Sequence, residues 1–218
     1  MMYPVFLNLA RKKCLVVGGG KVAVRKVIAL LRAKAQVTVI TKESSRQMSR
    51  LAPLINLQIR PFSDDDLSRT SFLVIGATND QAVNKRISQR AETLNIPCNI
   101  VDQTPLCSFV VPAQVRRGEV TVAIATGGVS PRLSGYLKKE VAKVVLPVHG
   151  ELAAYLGTIR KRLYTELPEI SLRNGFWSEL FSRDPVQEID EHGWEAFYSR
   201  VESLITWYSQ KIGTNEKV

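Results

Sequence analysis

The sequence contains few cysteines and few histidines, and their spacing excludes two kinds of site. The three cysteines, Cys14, Cys98 and Cys107, form no C-x-x-C pair and are odd in number. This pattern indicates neither a disulfide framework nor a zinc site, and it is typical of a reducing cytoplasm. The two histidines, His149 and His192, are far apart and show no metal-ligand spacing. We therefore expect no bound metal, and we expect Cys14 and Cys98 to be core thiols.

Long apolar runs are also missing. No run reaches the ~18 to 20 residues that a membrane span needs, and the first residues lack the charged region and cleavage site of a secretory leader. The net charge of +10 raises nucleic acid as a partner. However, no recognition helix or aromatic–basic motif is present, and we interpret the bases as dispersed and mixed with acids. We expect a complete cytoplasmic protein without membrane or nucleic-acid partners, whose basic surface is solvated or receives an anionic small substrate.

The stretch of residues 14–23 is an apolar run that ends in three glycines and continues as a helical pattern. Gly18 and Gly20, followed by a small residue three positions later, match the G-x-G-x-x-G/A spacing of dinucleotide-binding loops. In such loops the glycines allow a tight turn and a close approach of the pyrophosphate. Amide groups at the start of the helix, at Lys21 and Val22, would face the diphosphate.

Further apolar segments at residues 36–40, 57–61, 72–76 and 98–101, with helical patterns between most of them, predict a Rossmann-type parallel sheet. The second segment ends in Thr41, Lys42 and Glu43, where many NAD-binding domains carry an acid for the ribose. The absence of an acid at Thr41 weakens a generic NAD assignment, and Lys42 would suit the extra phosphate of NADP. Alternatively, Glu43 or the Thr41 hydroxyl would bind the ribose.

Small and polar residues follow the last two predicted strands of the sheet. Ala77 and Thr78 come after the strand at 72–76, and Asp102 comes after the strand at 98–101. Open α/β sheets bind ligands at the carboxyl ends of their strands, so Ala77 and Thr78 are predicted cofactor contacts. Alternatively, Thr78 and Asn79 would cap the helix that follows. Asp102 is expected beside the nicotinamide, where it would exchange a proton near the hydride-transfer site. From position alone, a turn aspartate is an equally good interpretation.

The pattern changes after residue 105. Strands at 108–112 and 120–125, joined through a basic turn, predict an antiparallel hairpin. A helix should follow, with Ser130 as N-cap and Pro131 at its first position. The segment from residue 147 onward is predicted to be helical, with the three tryptophans in its core. We therefore predict an α/β fold with domains at 1–112, 113–146 and 147–218.

Together these segments resemble the precorrin-2 dehydrogenases of siroheme synthesis, which are stand-alone enzymes or the amino-terminal module of siroheme synthase. The resemblance covers residues 3 to about 165 and places nothing beyond Leu163. The matching segments occur in the family's order and spacing: 3–9, 14–23 with Arg25 and Lys26, 77–80 with Val83 and Asn84, 99–102, 108–113 and 126–131.

The resemblance implies oxidation of precorrin-2 to sirohydrochlorin with reduction of NAD. In bifunctional members, the same site inserts ferrous iron into sirohydrochlorin. The resemblance also implies a homodimer, built from the dimerisation segment 113–146 that precedes the helical carboxyl-terminal domain. Because the family lacks a regular acid after the second strand, the resemblance assigns NAD as the cofactor.

By the same resemblance, Asp102 corresponds to the family's catalytic aspartate, with general base as its hypothesised role. The substrate carries many carboxylates, for which basic side chains of the second half of the chain are candidates. The alternative function is a non-catalytic, NAD-binding regulatory domain. The full set of candidate substrate-binding residues is Ser108, Arg116, Arg117, Thr126, Gly127, Ser130 and Arg132, with Lys138 as a further basic candidate.

Overall fold

The computed structural model describes residues 2–211, which form two compact units. The sheet unit runs to Pro112 and also contains Thr126–Ser130, whereas the helical unit contains Ala113–Ala125 and the described chain from Pro131 onward. The predicted division into three domains, with boundaries at residues 112 and 146, stays a prediction. Residues 212–218 of the third predicted domain lie outside the described residues.

The sheet unit is built from five strands and three helices, with short 3₁₀ turns in its loops. Their bounds are Lys13–Val17 (β1), Lys21–Arg32 (α1), Gln36–Thr41 (β2), Arg46–Ser49 (α2), Asn56–Ile59 (β3), Leu73–Gly76 (β4), Gln81–Thr93 (α3) and Cys98–Ile100 (β5). All neighbouring strands are parallel, in the spatial order β3-β2-β1-β4-β5. This is the order of a Rossmann-type sheet, which confirms the predicted fold class for this unit.

The apolar residues of β1 fill the cores on both faces of the sheet. Cys14 and Val16 pack with α1 and α2, whereas Leu15 and Val17 pack with α3 on the opposite face. Successive strand residues point to opposite faces, so a strand covered on both sides is continuously apolar. Cys14 and Cys98 are buried as predicted, and burial raises the pKa of Cys14 to about 11 and that of Cys98 to about 12.

The apolar composition of the amino-terminal segment 3–9 predicts that it packs beside the first strand, but the segment forms no strand and is exposed up to residue 8. β1 pairs with β2 on one side and with β4 on the other, and therefore has no open edge. Tyr3 and Phe6 are exposed, by 88% and 74% of their surfaces, while Leu9 packs against the core.

In its described residues, the helical unit begins with a hairpin and continues as four helices. Their bounds are Ala113–Arg117 (β6), Val120–Ile124 (β7), Pro131–Val144 (α4), Pro147–Glu166 (α5), Ile170–Leu180 (α6) and Pro185–Gln210 (α7). The two strands are antiparallel, and α4 starts at the predicted proline. The strand predicted at 108–112 is wrong, because the amides of Ser108 and Phe109 donate to the Cys98 carbonyl oxygen instead.

The last three helices share one apolar core. The spacing of Leu152, Leu156, Ile159 and Leu163 predicts an apolar stripe on a helix, and all four lie in or against this core. Trp177 and Trp194 pack partly buried against this core, but Trp207 is 49% exposed, so its predicted core position is wrong. No side chain of α4 is buried. Within the range 2–211, no helix is long and apolar enough to cross a membrane.

Candidate functional site

The carboxyl ends of β1, β2, β4 and β5 meet at one edge of the sheet. β1 lies between β2 and β4, and the chain order reverses at this position. Loops that follow strands at such a switch point diverge and leave a crevice. The predicted cofactor residues and Asp102 follow these strands, so they all lie at this edge.

The fold requires glycine at position 18, the first glycine of the loop after β1, whether or not a ligand is bound. Gly18 has a φ of +123°, a conformation that is strained for residues with a side chain. Its amide donates to the Ile40 carbonyl oxygen at 2.8 Å, and a Cβ atom on it would collide with the Ala77 carbonyl group. The loop after β1 is therefore wedged between β2 and the residue that follows β4.

The third glycine is in open space. Nothing lies within 4 Å of the position that a Cβ atom on Gly20 would occupy. Gly20 is the N-cap of α1, which has no side-chain cap and no acid in its first turn. The side chain of Lys21 is exposed, and that of Val22 is half-buried. Unsatisfied amides beside open space fit the diphosphate of a dinucleotide.

The charge near this loop is almost entirely positive. The interpretation that the bases are dispersed and mixed with acids is therefore wrong for this part of the chain. Residues 1–63 contain twelve Lys and Arg residues and one acid, Glu43. The remaining residues carry nearly equal numbers of both signs. The glycine loop therefore lies in the segment that carries the net positive charge, which favours an anionic ligand.

Of the three predicted cofactor residues at the end of β2, one has a buried side chain. Thr41 is 7% exposed, and its hydroxyl donates to the Glu43 carbonyl oxygen at 2.7 Å. Lys42 and the Glu43 side chain are exposed, and the Lys42 ammonium lies 3.6 Å from the Asp80 carboxylate of the loop after β4. Thus Lys42 and Glu43 are accessible at the sheet edge, whereas the Thr41 side chain contacts the glycine loop.

The loop after β4 is held by a buried asparagine to which the sequence analysis assigns no role. Asn84 is 2% exposed, and its amide nitrogen donates to the Thr78 carbonyl oxygen at 3.0 Å. The Thr78 hydroxyl donates to the Asn84 side-chain oxygen at 2.8 Å. Its spacing of three and seven residues from the buried Ile87 and Ala91 is the sequence signal that could have predicted a buried asparagine. The N-cap of α3 is Asp80, and not Thr78 or Asn79.

Asp102 is exposed in a tight turn after β5, with a φ of +60°. The Cys107 thiol lies against this turn, since its sulfur is 3.1 Å from the Ile100 amide and 3.3 Å from the Gln103 carbonyl oxygen. Burial and the nearby Arg25 lower the pKa of Lys26, while Cys107 and Asp102 oppose that shift. The turn therefore presents a solvent-accessible carboxylate within electrostatic reach of a partly buried ammonium group.

The predicted substrate-binding residues divide between the two units. Ser108, Thr126, Gly127 and Ser130 belong to the sheet unit, and the arginines belong to the helical unit. The Ser108 hydroxyl accepts a hydrogen bond from the Cys98 amide at 2.8 Å, and the Thr126 hydroxyl donates to the Ser130 carbonyl oxygen at 3.0 Å.

The three predicted arginines all lie in the first elements of the helical unit. Arg116 and Arg117 are on β6, and Arg132 is in the first turn of α4. The Arg116 and Arg117 side chains each donate to a backbone carbonyl oxygen of the hairpin. Among residues 2–211, no group of three or more His, Cys, Asp or Glu residues could hold a metal ion.

The strand order and the glycine loop define a dinucleotide-binding α/β protein. The family model described as "Putative NAD(P)-binding" matches residues 5–113. The chain belongs to this family, in agreement with the dinucleotide that the glycine loop predicts.

Its relatives include siroheme synthases, as the sequence motifs indicated. The siroheme synthase of Nitrosospira multiformis is 41% identical over 186 residues, which cover 81% of this chain and 39% of the relative. That of Escherichia coli O139:H28 is 37% identical over 206 residues, which cover 93% of this chain and 45% of the relative. The chain therefore spans less than half the length of these relatives. The longer match must extend past Leu163, into the part of the chain where the sequence motifs place no counterpart.

A solved structure has the same fold. The structure named "SirC, precorrin-2 dehydrogenase" superposes with a TM-score of 0.76 at 24% identity, covering 93% of this chain and all of that one. The likeness extends over both compact units and confirms the predicted fold class, including the small antiparallel segment and the helical region.

Proposed function

We propose that this chain oxidises precorrin-2 to sirohydrochlorin in siroheme synthesis, with NAD as the hydride acceptor. The observation that carries the proposal is the exposed Asp102 carboxylate at the same sheet edge as the glycine loop. The similarity to siroheme synthases supports a tetrapyrrole as substrate. The family membership supports a nicotinamide dinucleotide as cofactor.

The glycine loop and the start of α1 would hold the diphosphate of NAD. Gly18 and Gly20 would let the cofactor approach the backbone, and the amides of Lys21 and Val22 would donate to it. Lys42 and Glu43, which are exposed at the end of β2, would receive the ribose of the adenosine half. Thr41 would support that contact only through its backbone, since its hydroxyl is engaged elsewhere.

The residues after β4 would receive the nicotinamide half of the cofactor. Asn84 fixes the backbone of Thr78, and Ala77 beside it is small, so the cofactor would lie against both residues. Bound NAD would supply the hydride acceptor. Asp102 would accept the proton that leaves the macrocycle as the hydride departs, so that the two hydrogens lost from the substrate are both accounted for.

Arg116, Arg117 and Arg132 of the helical unit stay candidates for binding the carboxylates of the tetrapyrrole. Arg116 and Arg132 are exposed, and Arg117 is half-buried. We also propose that the chain is a homodimer, because α4 leaves apolar surface uncovered, with Tyr136 at 58% and Val144 at 68% exposure. Sedimentation equilibrium at several concentrations measures that state. The three unpaired cysteines support a cytoplasmic location.

The test is turnover by the purified chain supplied with precorrin-2 and NAD. We expect NADH and sirohydrochlorin to form, and Asp102→Asn to lower kcat by about 10²- to 10⁴-fold while the Kd for NAD is unchanged. Asp65→Asn, at an exposed carboxylate of the same unit, is the matched control and should retain full activity. NADH formation undiminished by Asp102→Asn would remove Asp102 from the mechanism.

NAD binding without turnover would instead support the regulatory-domain alternative. Insertion of ferrous iron, which the family resemblance allows, stays a prediction. It is measured by supplying sirohydrochlorin and ferrous iron, and by comparing the rate of metallation with that of a reaction without enzyme.

A further inference from the structure

Ser45 connects the loop after β2 with the glycine loop after β1. Its hydroxyl donates to the Gly19 carbonyl oxygen at 2.8 Å. The same hydroxyl accepts a hydrogen bond from the Met48 amide at 3.3 Å, as the N-cap of α2. With its one proton donated and a lone pair engaged, the hydroxyl is held in a single orientation.

Gly19 has no room to move away from this contact. A Cβ atom on Gly19 would collide with the Glu43 carbonyl oxygen and would lie 2.7 Å from the Thr41 hydroxyl oxygen. That hydroxyl in turn donates to the Glu43 carbonyl oxygen. The loop after β2 therefore closes tightly over one side of the peptide that joins Gly19 to Gly20.

This contact determines where the next amide points. The described residues contain no cis peptide bond, and in a trans peptide the C=O and N–H bonds point in opposite directions. Because the Gly19 carbonyl group points at Ser45, the Gly20 N–H points away from Ser45. Gly20 is the N-cap of α1 and has open space beside it, which is where the diphosphate would bind.

We propose that Ser45 is a positioning residue for the cofactor, which acts by fixing the peptide that presents the Gly20 amide to the diphosphate. Ser45 acts through Gly19 and does not itself touch the cofactor. Many dinucleotide folds place a ribose-binding acid at the end of β2. In this chain, Ser45 in the loop that follows β2 holds the glycine loop instead. The inference rests on the proposed binding of NAD.

The test compares three variants by calorimetric titration with NAD and with ADP-ribose, and by thermal unfolding. Ser45→Ala removes both hydrogen bonds, and Ser45→Thr keeps a hydroxyl that can make them. Ser63→Ala is the matched control, because Ser63 is the N-cap residue of the Asp64–Asp66 turn of the same unit.

We expect Ser45→Ala to weaken NAD and ADP-ribose equally, by about five- to tenfold, since both ligands contain the diphosphate and one hydrogen bond orients the loop. Ser45→Thr should restore the affinity, and Ser63→Ala should lower the Tm but bind as the wild type does. In turnover, Ser45→Ala should raise the KM for NAD and leave kcat at saturating NAD within about twofold, because the reacting groups are unchanged.

Wild-type affinity in Ser45→Ala would overturn this inference and leave the proposed function intact. An equal loss of affinity in Ser63→Ala would reduce the effect to one of stability and would overturn the inference as well. Failure of the wild-type chain to bind NAD would overturn the proposed function together with the inference.

Discussion

The two units bury different kinds of side chain. In the sheet unit, the polar residues Thr41, Asn84 and Asn99 are buried. In the described part of the helical unit, the buried side chains are aliphatic or aromatic, as Phe176 and Phe197 illustrate. Both units have well-filled apolar cores, so the difference lies in what is buried in addition to those cores.

Each buried polar residue of the sheet unit bonds the backbone of a loop, and two of them, Thr41 and Asn84, do so at the carboxyl edge. Thr41 bonds the loop after β2, Asn84 bonds the loop after β4, and the Asn99 amide donates to the Phe109 carbonyl oxygen at 3.0 Å. Burying a polar group costs free energy unless its hydrogen bonds are made. Such residues therefore specify loop positions that apolar packing alone leaves undetermined, and Thr41 and Asn84 do so where the cofactor is proposed to bind.

The comparison predicts that a core deletion in the helical unit affects stability without affecting cofactor binding. Phe176 is fully buried, with its ring centre 5.1 Å from that of Trp177. Phe176→Ala should lower the free energy of unfolding by about 3 to 5 kcal/mol. Denaturant unfolding measures this loss, and calorimetric titration should give a wild-type Kd for NAD.

Phe181→Ala is the control for this deletion, because Phe181 is 53% exposed at the end of the same helix. Its effect should remain within about 0.5 kcal/mol. If Phe176→Ala weakened NAD binding at temperatures where the protein is folded, the core of the helical unit would contribute to cofactor binding, against this prediction.

A deletion among the buried polar residues of the sheet unit should affect both properties. Asn84→Ala leaves the Thr78 carbonyl group and hydroxyl without their buried partner, which should cost about 1 to 3 kcal/mol of unfolding free energy. Because the loop after β4 loses its anchor, the Kd for NAD should rise as well. Denaturant unfolding and calorimetric titration measure the two effects on one preparation.

Gln81→Ala, at an exposed position of the same helix, should change neither quantity. A loss of stability in Asn84→Ala with unchanged NAD affinity would show that the buried asparagine serves packing alone, as the aromatic residues of the helical unit do.

The sequence predicts those parts of the structure that depend on local patterns. The strands, α1 and the glycine loop have local signals, because apolar periodicity and glycine spacing record burial and backbone geometry directly. The strand ends follow from them, so the edge that carries Ala77 and Asp102 was predictable. The roles assigned to these residues stay predictions.

Contacts between distant segments leave no such local signal. Ser45 meets Gly19 across 26 positions of the sequence, and nothing in the serine's neighbours indicates that partner. The segment 3–9 has the composition of a strand, but both edges of β1 are taken. Likewise, the apolar positions of α4 predict a buried face, although none of its side chains is buried within the chain. Periodicity indicates that a surface is apolar and does not indicate what covers it.

The smallest expected effect concerns the apolar part of the sheet unit, where burial acts on two thiols. Burial raises the pKa of Cys14 to about 11 and that of Cys98 to about 12, from 9.0. The folded protein therefore keeps both protons at a pH where the unfolded chain releases them. Stability from these groups is complete below pH 9 and is lost progressively as the pH rises from 9 toward the folded-state values.

The measurement is titration with a thiol reagent at pH 8 on Cys107→Ser, which leaves the two buried thiols. We expect no rapid labelling of the folded protein, because thiolates are the reactive species, and labelling of both thiols in guanidinium chloride. The exposed fraction of Cys14 is 2% and that of Cys98 is 3%, so access is closed as well. Rapid labelling of the folded variant would show that the sheet core opens locally.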